Sequence, residues 1–153
     1  MTQIPSEEDI TAICAGHADA PDALLEIFHD IQLQFGAVRE ADLHVIAQRL
    51  NRSRAEIYGV LSFYHDYRRE PAGPVVVKLC RAEACQSVGA LALIEEICAA
   101  RGAALGETAN GVTLEPVYCL GNCALGPAAL VNDRLIGRLT PARLDAAIAE
   151  AQA

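Results

Sequence analysis

Tryptophan is absent from the sequence, and aromatic residues make up only 5% of its 153 residues. No stretch approaches about 20 uninterrupted apolar residues, the length that a membrane-spanning helix requires, so we expect no direct membrane insertion. The chain starts with neither basic side chains nor an apolar run, and we therefore expect no signal peptide or transit peptide. These absences favour a cytoplasmic protein. Hydrophobic residues still account for 52% of the chain, which is enough to build a core.

Lysine and arginine are missing from residues 1–38, which hold seven acidic side chains, whereas residues 39–74 hold six arginines. The net charge of the whole chain is −8. Because an acidic chain repels a phosphate backbone, we expect no nucleic-acid partner. Separate acidic and arginine-rich regions favour docking onto other proteins. A solvated acidic helix face is the alternative explanation of the first region.

Two parts with different hydrophobic periodicity meet at the Pro-Ala-Gly-Pro segment of residues 71–74. In residues 1–70 the apolar residues recur at helical spacing, which predicts a small bundle of helices. Ser6 with Asp9, and Ser53 with Glu56, have the serine-to-acid spacing that caps the N-terminus of a helix. The first part is therefore predicted to be all helical.

Residues 75–153 have a different pattern, in which short β-branched runs alternate with helical segments. The predicted elements are a strand at 75–79, a helix from Ser87 to Ile97, a strand at 112–118, a hairpin across Asn132 and Asp133, and a helix that begins at Thr140 and Pro141. In the first of these helices, Leu91 is expected to face inward. The predicted fold class is α/β: an N-terminal helical bundle followed by a small domain that is thioredoxin-like in outline.

Four of the six cysteines form two pairs, Cys80-x4-Cys85 and Cys119-x3-Cys123. Each pair begins where a predicted strand ends, and loops at such strand ends gather to form sites, so the two pairs are expected to meet. A [2Fe–2S] cluster takes four thiolates, two for each iron, and the four cysteines can supply them. A hypothesis from the spacing alone is that each pair serves one iron.

The glycines of the second loop, Gly121 and Gly126, are expected to let backbone amides turn toward sulfur. Disulfides are disfavoured because nothing in the sequence indicates secretion. A thioredoxin-type redox pair needs Cys-x-x-Cys, which is absent. Structural zinc remains open at this point, since both spacings suit zinc as well. Cys14 and Cys98 lie on apolar helical faces and are expected to be buried structural residues.

The run Cys119-Leu120-Gly121-Asn122-Cys123, the four paired cysteines and the segment of residues 53–67 resemble the thioredoxin-like [2Fe–2S] subunits of NADH-linked oxidoreductases. That family includes the 24-kDa subunit of respiratory complex I, its relatives in NAD-reducing hydrogenases, and the gamma subunit of NAD-dependent molybdenum formate dehydrogenase. The chain looks most like the formate dehydrogenase subunit.

The resemblance implies that Cys80, Cys85, Cys119 and Cys123 bind one [2Fe–2S] cluster and that the chain relays single electrons without doing bond chemistry itself. It implies a partner subunit that binds FMN and NAD(H), and a catalytic subunit that contains molybdenum and iron–sulfur centres. Residues 1–70 would then dock onto a partner, and residues 75–153 would hold the cluster. An alternative of another class is an iron–sulfur or zinc-containing transcription regulator, because residues 39–62 resemble a helix-turn-helix in length.

Overall fold

The computed structural model describes residues 4–153, and the chain divides after Pro71 into two compact units. Residues 1–3 lie outside the described part. The predicted bundle of residues 1–70 includes them. The helices within it are α1 (Glu7–Gly16), α2 (Leu24–Phe35), α3 (Leu43–Arg49), α4 (Arg54–Phe63), α5 (Glu83–Gln86), α6 (Ala90–Arg101) and α7 (Pro141–Gln152). The strands are β1 (Val75–Cys80), β2 (Thr108–Ala109), β3 (Val112–Val117), β4 (Ala129–Val131) and β5 (Arg134–Ile136). No helix within residues 4–153 is long and apolar enough to cross a membrane.

Capping boxes start two helices of the first unit, as the sequence predicts. The Ser6 hydroxyl accepts a hydrogen bond from the Asp9 N–H (3.2 Å), and the Asp9 carboxylate accepts one from the Ser6 N–H (2.8 Å). Ser53 and Glu56 repeat this arrangement at the start of α4, with distances of 2.9 and 3.2 Å. Each box pairs two amide groups that would otherwise lack partners at the end of a helix.

A buried apolar cluster made by α1 to α4 holds the first unit together. Phe28, Ile31 and Ile57 are completely buried within it. The chain that follows α4 is tied back to α2, because the Arg68 N–H donates to Oε1 of Gln32 (2.6 Å) and Nε2 of Gln32 donates to the Asp66 carbonyl (2.9 Å). The first unit therefore has a core of its own.

A five-stranded mixed sheet with the order β2-β3-β1-β4-β5 forms the second unit. The central strands β1 and β3 are parallel, and β1 and β4 are antiparallel. Helices α6 and α7 contact each other and share one buried cluster with the sheet, in which Leu79, Leu114 and Leu144 are at most 1% exposed. The predicted hairpin across Asn132 and Asp133 and the Thr140 cap of α7 are both confirmed.

The helix between β1 and β3 differs from the prediction. Instead of one helix from Ser87, the structure has the short α5 and then α6, which starts after Gly89 in a left-handed conformation (φ 90°). Leu91 is 39% exposed, so its predicted inward orientation is wrong. The buried face of α6 instead begins with Ala90, whose small side chain gives a weak hydrophobic signal.

Candidate metal centre

The parallel pairing of β1 and β3 brings the two cysteine pairs to one edge of the sheet. Cys80 is the last residue of β1, and in the β1–β3 register it lies opposite Val117, two residues before Cys119. The Arg81 N–H donates to the Val117 carbonyl at 2.7 Å, which holds the starts of the two loops together. We call residues 80–88 the first cysteine loop and residues 119–127 the second cysteine loop.

The first cysteine loop holds its two sulfurs inside the protein. Cys80 is 3% exposed and Cys85 is 2% exposed, and both pack in a small cluster with Ala90 and Ala128. The Cys80 N–H donates to the Ala128 carbonyl at 3.1 Å. Cys85 lies in α5, which turns the chain back so that its side chain returns toward Cys80. Small apolar neighbours therefore surround the first pair.

The second cysteine loop presents its sulfurs at the surface. Cys119 and Cys123 are both exposed. Cys119 has a φ of 151°, an uncommon value for a residue with a side chain, and strained backbone of this kind clusters at functional sites. Gly121 has a φ of 72°, and its N–H donates to Sγ of Cys119 at 3.3 Å. The expectation that the Gly121 amide turns toward sulfur is therefore confirmed.

The four thiols influence one another, which shows that the two loops meet. Burial, followed by a hydrogen bond with Cys80, raises the pKa of the Cys85 thiol. A hydrogen bond with Cys119 is the main cause that raises the pKa of the Cys123 thiol. Cys80 and Cys123 also interact across the two pairs. The structure thus brings all four sequence-predicted residues together, as one buried pair and one exposed pair.

This donor set fits a [2Fe–2S] cluster, in which four thiolates bind two irons. Among the thiols, Cys85 interacts mainly with Cys80, and Cys123 mainly with Cys119, so the sulfurs are associated in two pairs. Within residues 4–153, no group of three or more His, Cys, Asp or Glu side chains is placed to hold a metal ion. The arrangement of sulfurs in two pairs is the one that a two-iron cluster uses.

Gly126 has a different role from the one expected. Its N–H donates to the Cys123 carbonyl at 3.2 Å, not to a sulfur. A Cβ at this position would lie 3.5 Å from Sγ of Cys85 and 3.1 Å from Cγ2 of Val88, so the missing side chain lets the second loop approach the first. Sequence reasoning also missed Gly137, where a Cβ would lie 2.7 Å from Cβ of Leu125. Neither close approach leaves a local sequence pattern, because each involves residues far apart in the chain.

The two remaining cysteines belong to neither cysteine loop. Cys14 is completely buried on α1, and Cys98 lies half-buried on α6 against the core of the second unit. Burial raises the pKa of both thiols. All six cysteines are free thiols in the structure.

Comparison with known proteins gives one consistent result. The family model for thioredoxin-like [2Fe–2S] ferredoxins matches residues 10–152. A subunit of the NADH-quinone oxidoreductase of Rhizobium meliloti is 33% identical over 141 residues, which are 91% of this chain and 84% of that protein. A subunit of the NADH-quinone oxidoreductase of Pseudomonas aeruginosa is 32% identical over 127 residues, which cover 82% of this chain and 76% of that protein.

Among solved structures, the NAD+-reducing [NiFe]-hydrogenase in its air-oxidized state matches with a TM-score of 0.67 and 26% sequence identity. The match covers 85% of this chain but only 23% of the hydrogenase chain. The α/β fold expected from the sequence, with a thioredoxin-like ferredoxin domain, is confirmed by the family match and by this likeness. The family implies a [2Fe–2S] cluster. The chain belongs to the thioredoxin-like [2Fe–2S] ferredoxin family.

Proposed function

We propose that this chain is an electron-transfer subunit of a multisubunit NADH-linked oxidoreductase. We also propose that it holds one [2Fe–2S] cluster on Cys80, Cys85, Cys119 and Cys123. The observation that carries both proposals is the meeting of two cysteine pairs at the ends of adjacent parallel strands. Names of similar proteins support the wider assignment, since they are subunits of NADH-quinone oxidoreductases and parts of an NAD+-reducing hydrogenase.

The contrast between one buried and one exposed cysteine pair suits electron relay. When bound, the cluster would accept and release one electron at a time. The buried Cys80 and Cys85 would anchor one iron in a dry, apolar setting. The exposed Cys119 and Cys123 would present the other iron to a partner. The N–H of Gly121 on Sγ of Cys119 would stabilise negative charge at this outer side.

The flavoprotein partner belongs to this proposal. We expect a subunit that binds FMN and NAD(H), and, if the parent enzyme is an NAD-dependent formate dehydrogenase, a catalytic subunit with molybdenum and iron–sulfur centres. The sequence resemblance favours the formate dehydrogenase. The names of the similar proteins are those of NADH-quinone oxidoreductases and of an NAD+-reducing hydrogenase, and they favour one of these two enzymes. We propose formate dehydrogenase as the parent enzyme and test it against these two.

An apolar groove supports the proposed docking role of the helical unit (residues 1–70). The groove has a volume of about 490 Å³ and lies between the start of α2 and the exposed side of α4. Its lining residues are Pro21, Leu24, Arg52, Glu56, Ile57, Gly59, Val60, Phe63 and Tyr64. Phe63 is 72% exposed and its ring lies 5.0 Å from that of Tyr64, so the groove continues into an exposed aromatic patch, which favours contact with another protein.

The transcription-regulator alternative finds little support in the helical unit. The arginines that would contact phosphates in a helix-turn-helix at residues 39–62 are Arg49, Arg52 and Arg54. Two of them are paired with carboxylates: Nε of Arg49 donates to Asp19 at 2.9 Å, and Arg52 lies 3.7 Å from Glu56. On α4, the helix that would read DNA bases, Ile57 and Leu61 are buried in the core. We therefore retain the electron-transfer proposal.

The test is anaerobic purification of the tagged full chain from its own host, followed by identification of the co-purified proteins, flavin analysis and EPR before and after addition of NADH. We expect a flavin-containing subunit and, with formate as electron donor, reduction of NAD+. Hydrogen or quinone activity without formate activity would overturn the formate dehydrogenase proposal alone. A chain that purifies without a flavoprotein and whose cluster shows no electron exchange with NADH would overturn the whole assignment. Phe63→Ala should lower recovery of the partner, whereas Leu33→Ala, also on the exposed surface of this unit, should leave it unchanged.

A further inference from the structure

We propose that Gly126 and Gly137 are positioning residues that fix the second cysteine loop against the buried Cys80–Cys85 pair. The effect on the cluster rests on the proposed function. The packing of the two glycines does not, because it involves only residues of this chain. Gly137 lies 14 residues beyond Cys123, at the exit of the β4–β5 hairpin. No motif connects it with the cysteines.

The space around Gly137 is filled by the second cysteine loop. A Cβ at Gly137 would lie 2.7 Å from Nδ2 of Asn122, 2.7 Å from Cβ of Leu125 and 2.9 Å from the Leu125 carbonyl oxygen. The Asn122 amide is the end of a flexible side chain and can move aside. The Leu125 atoms belong to or adjoin the backbone, so a methyl group at Gly137 has to displace the loop itself.

Backbone hydrogen bonds hold the same two segments together. The Arg138 N–H donates to the Leu125 carbonyl at 2.6 Å, and the Leu139 N–H donates to the Pro127 carbonyl at 2.8 Å. Leu139 is buried in the core of the second unit, so the segment that supports the loop is itself fixed. The exit of the hairpin is therefore a rigid support for the turn that carries Cys123.

Gly126 forms the contact between the second cysteine loop and the first. A Cβ there would lie 3.1 Å from Cγ2 of Val88 and 3.5 Å from Sγ of Cys85. The bare Cα of Gly126 therefore covers the buried sulfur of Cys85, and Val88 limits how far the loop can come in. The close contact is with the end of a side chain, so substitution at Gly126 should be milder than at Gly137.

Sterics, and not backbone conformation, favour glycine at both positions. Gly126 has a φ of −64°, which alanine adopts without strain, and the φ of Gly137 lies outside the left-handed region. An alanine substitution at either position consequently reports the close approach alone. If the second loop moves, Cys119 and Cys123 move relative to Cys80 and Cys85, and the fit to four thiolates around two irons is lost.

The experiment compares the full chain with Gly137→Ala and Gly126→Ala, and uses Gly16→Ala as control because a Cβ at Gly16 has no neighbour within 4 Å. Three quantities are measured: the rate of cluster loss in a chelator, the EPR g-values of the reduced cluster, and the alkylation rate of Cys85 in the metal-free chain by mass spectrometry. We expect Gly137→Ala to lose the cluster and to expose Cys85 about tenfold faster than the parent chain. Gly126→Ala should do so about threefold faster, and Gly16→Ala should match the parent.

Two double variants test the stated contacts. Val88→Ala should cancel the effect of Gly126→Ala, judged against Val88→Ala alone, because it removes the nearest atom. Asn122→Ala should not cancel the effect of Gly137→Ala, because the Leu125 atoms remain. Parental alkylation of Cys85 in Gly137→Ala, or failure of Val88→Ala to rescue Gly126→Ala, would overturn the inference. If the parent chain binds no cluster, the proposed function fails, but the alkylation rates still decide the positioning role. If Gly137→Ala does not fold, the Gly126 and Val88 variants decide it.

Discussion

Replacing one buried and one exposed cysteine by serine should separate the two halves of the proposed cluster site. Cys85 is 2% exposed and packs with Cys80, Ala90 and Ala128. A serine hydroxyl there is more polar than a thiol and too short to reach the same partners. A buried hydroxyl without a good partner costs about 1–3 kcal/mol. For a unit the size of Ala72–Ala153, this free energy lowers Tm by roughly 4–20 °C.

Cys119 provides the matched comparison, because its side chain is exposed. Cys119→Ser should change the unfolding free energy of the metal-free chain by less than about 0.5 kcal/mol. Both variants should nevertheless lose the native EPR signal of the loaded chain. Cys98 is half-buried on α6 and belongs to neither pair, so Cys98→Ser should keep that signal.

The assay is thermal unfolding of reduced, metal-free protein by circular dichroism, combined with EPR after reconstitution and dithionite reduction. Because a serine alkoxide can itself bind iron, Cys85→Ala and Cys119→Ala are measured alongside. Equal Tm values for the two serine variants would refute the argument from burial. A native EPR spectrum in either alanine variant would refute that cysteine as a ligand.

Three further predictions concern the helical unit. Ser53→Ala should lower its unfolding free energy by about 1 kcal/mol through loss of the capping box; urea unfolding measures this, with Ser62→Ala as a control that should stay near the parent value. Hydrogen bonds from the Ser53 N–H and hydroxyl lower the pKa of the Glu56 carboxyl in the folded protein. The stability they contribute is therefore fully present above the unfolded-state pKa of about 4.3, and it is lost as the pH falls through the folded-state pKa. The urea midpoint of the parent should therefore fall more steeply than that of Glu56→Gln between pH 6 and about 3, and parallel curves would contradict this. Ile57→Ala should lower the unfolding free energy of the helical unit by about 2–5 kcal/mol, since the side chain is fully buried, while the EPR signal of the cluster stays native. Loss of that signal at a temperature where only the helical unit unfolds would contradict the claim that each unit has its own core.

Local chemistry explains which elements the sequence predicted correctly. Ser53 and Glu56 form a capping box through groups three residues apart, so the pattern is complete within one turn of helix. Likewise Asn132, at a φ of 48°, adopts the left-handed conformation that its residue type tolerates, and it turns the β4–β5 hairpin. The position of the cysteine pairs followed from the same kind of information, because each pair begins at the end of a strand.

Elements that depend on distant contacts were not predictable in this way. The β2 strand, Thr108–Ala109, was missed for another reason: it pairs locally with β3, but two residues are too few to show the alternation that predicts a strand. The buried face of α6 starts with Ala90 and leaves Leu91 exposed. The sequence suggests the opposite, because Leu91 is the larger hydrophobic residue of the two. Gly137 supports the second cysteine loop only because the hairpin brings it there. Such contacts become visible only when the fold is known.

Metal analysis of the anaerobically purified full chain tests the central claim most directly. Iron, acid-labile sulfide and zinc are determined per chain, and EPR is recorded after dithionite reduction. The proposed site predicts two irons and two sulfides per chain, with a rhombic spin-one-half signal from the reduced cluster. Zinc without iron, in protein that has been kept strictly anaerobic, would contradict the claim.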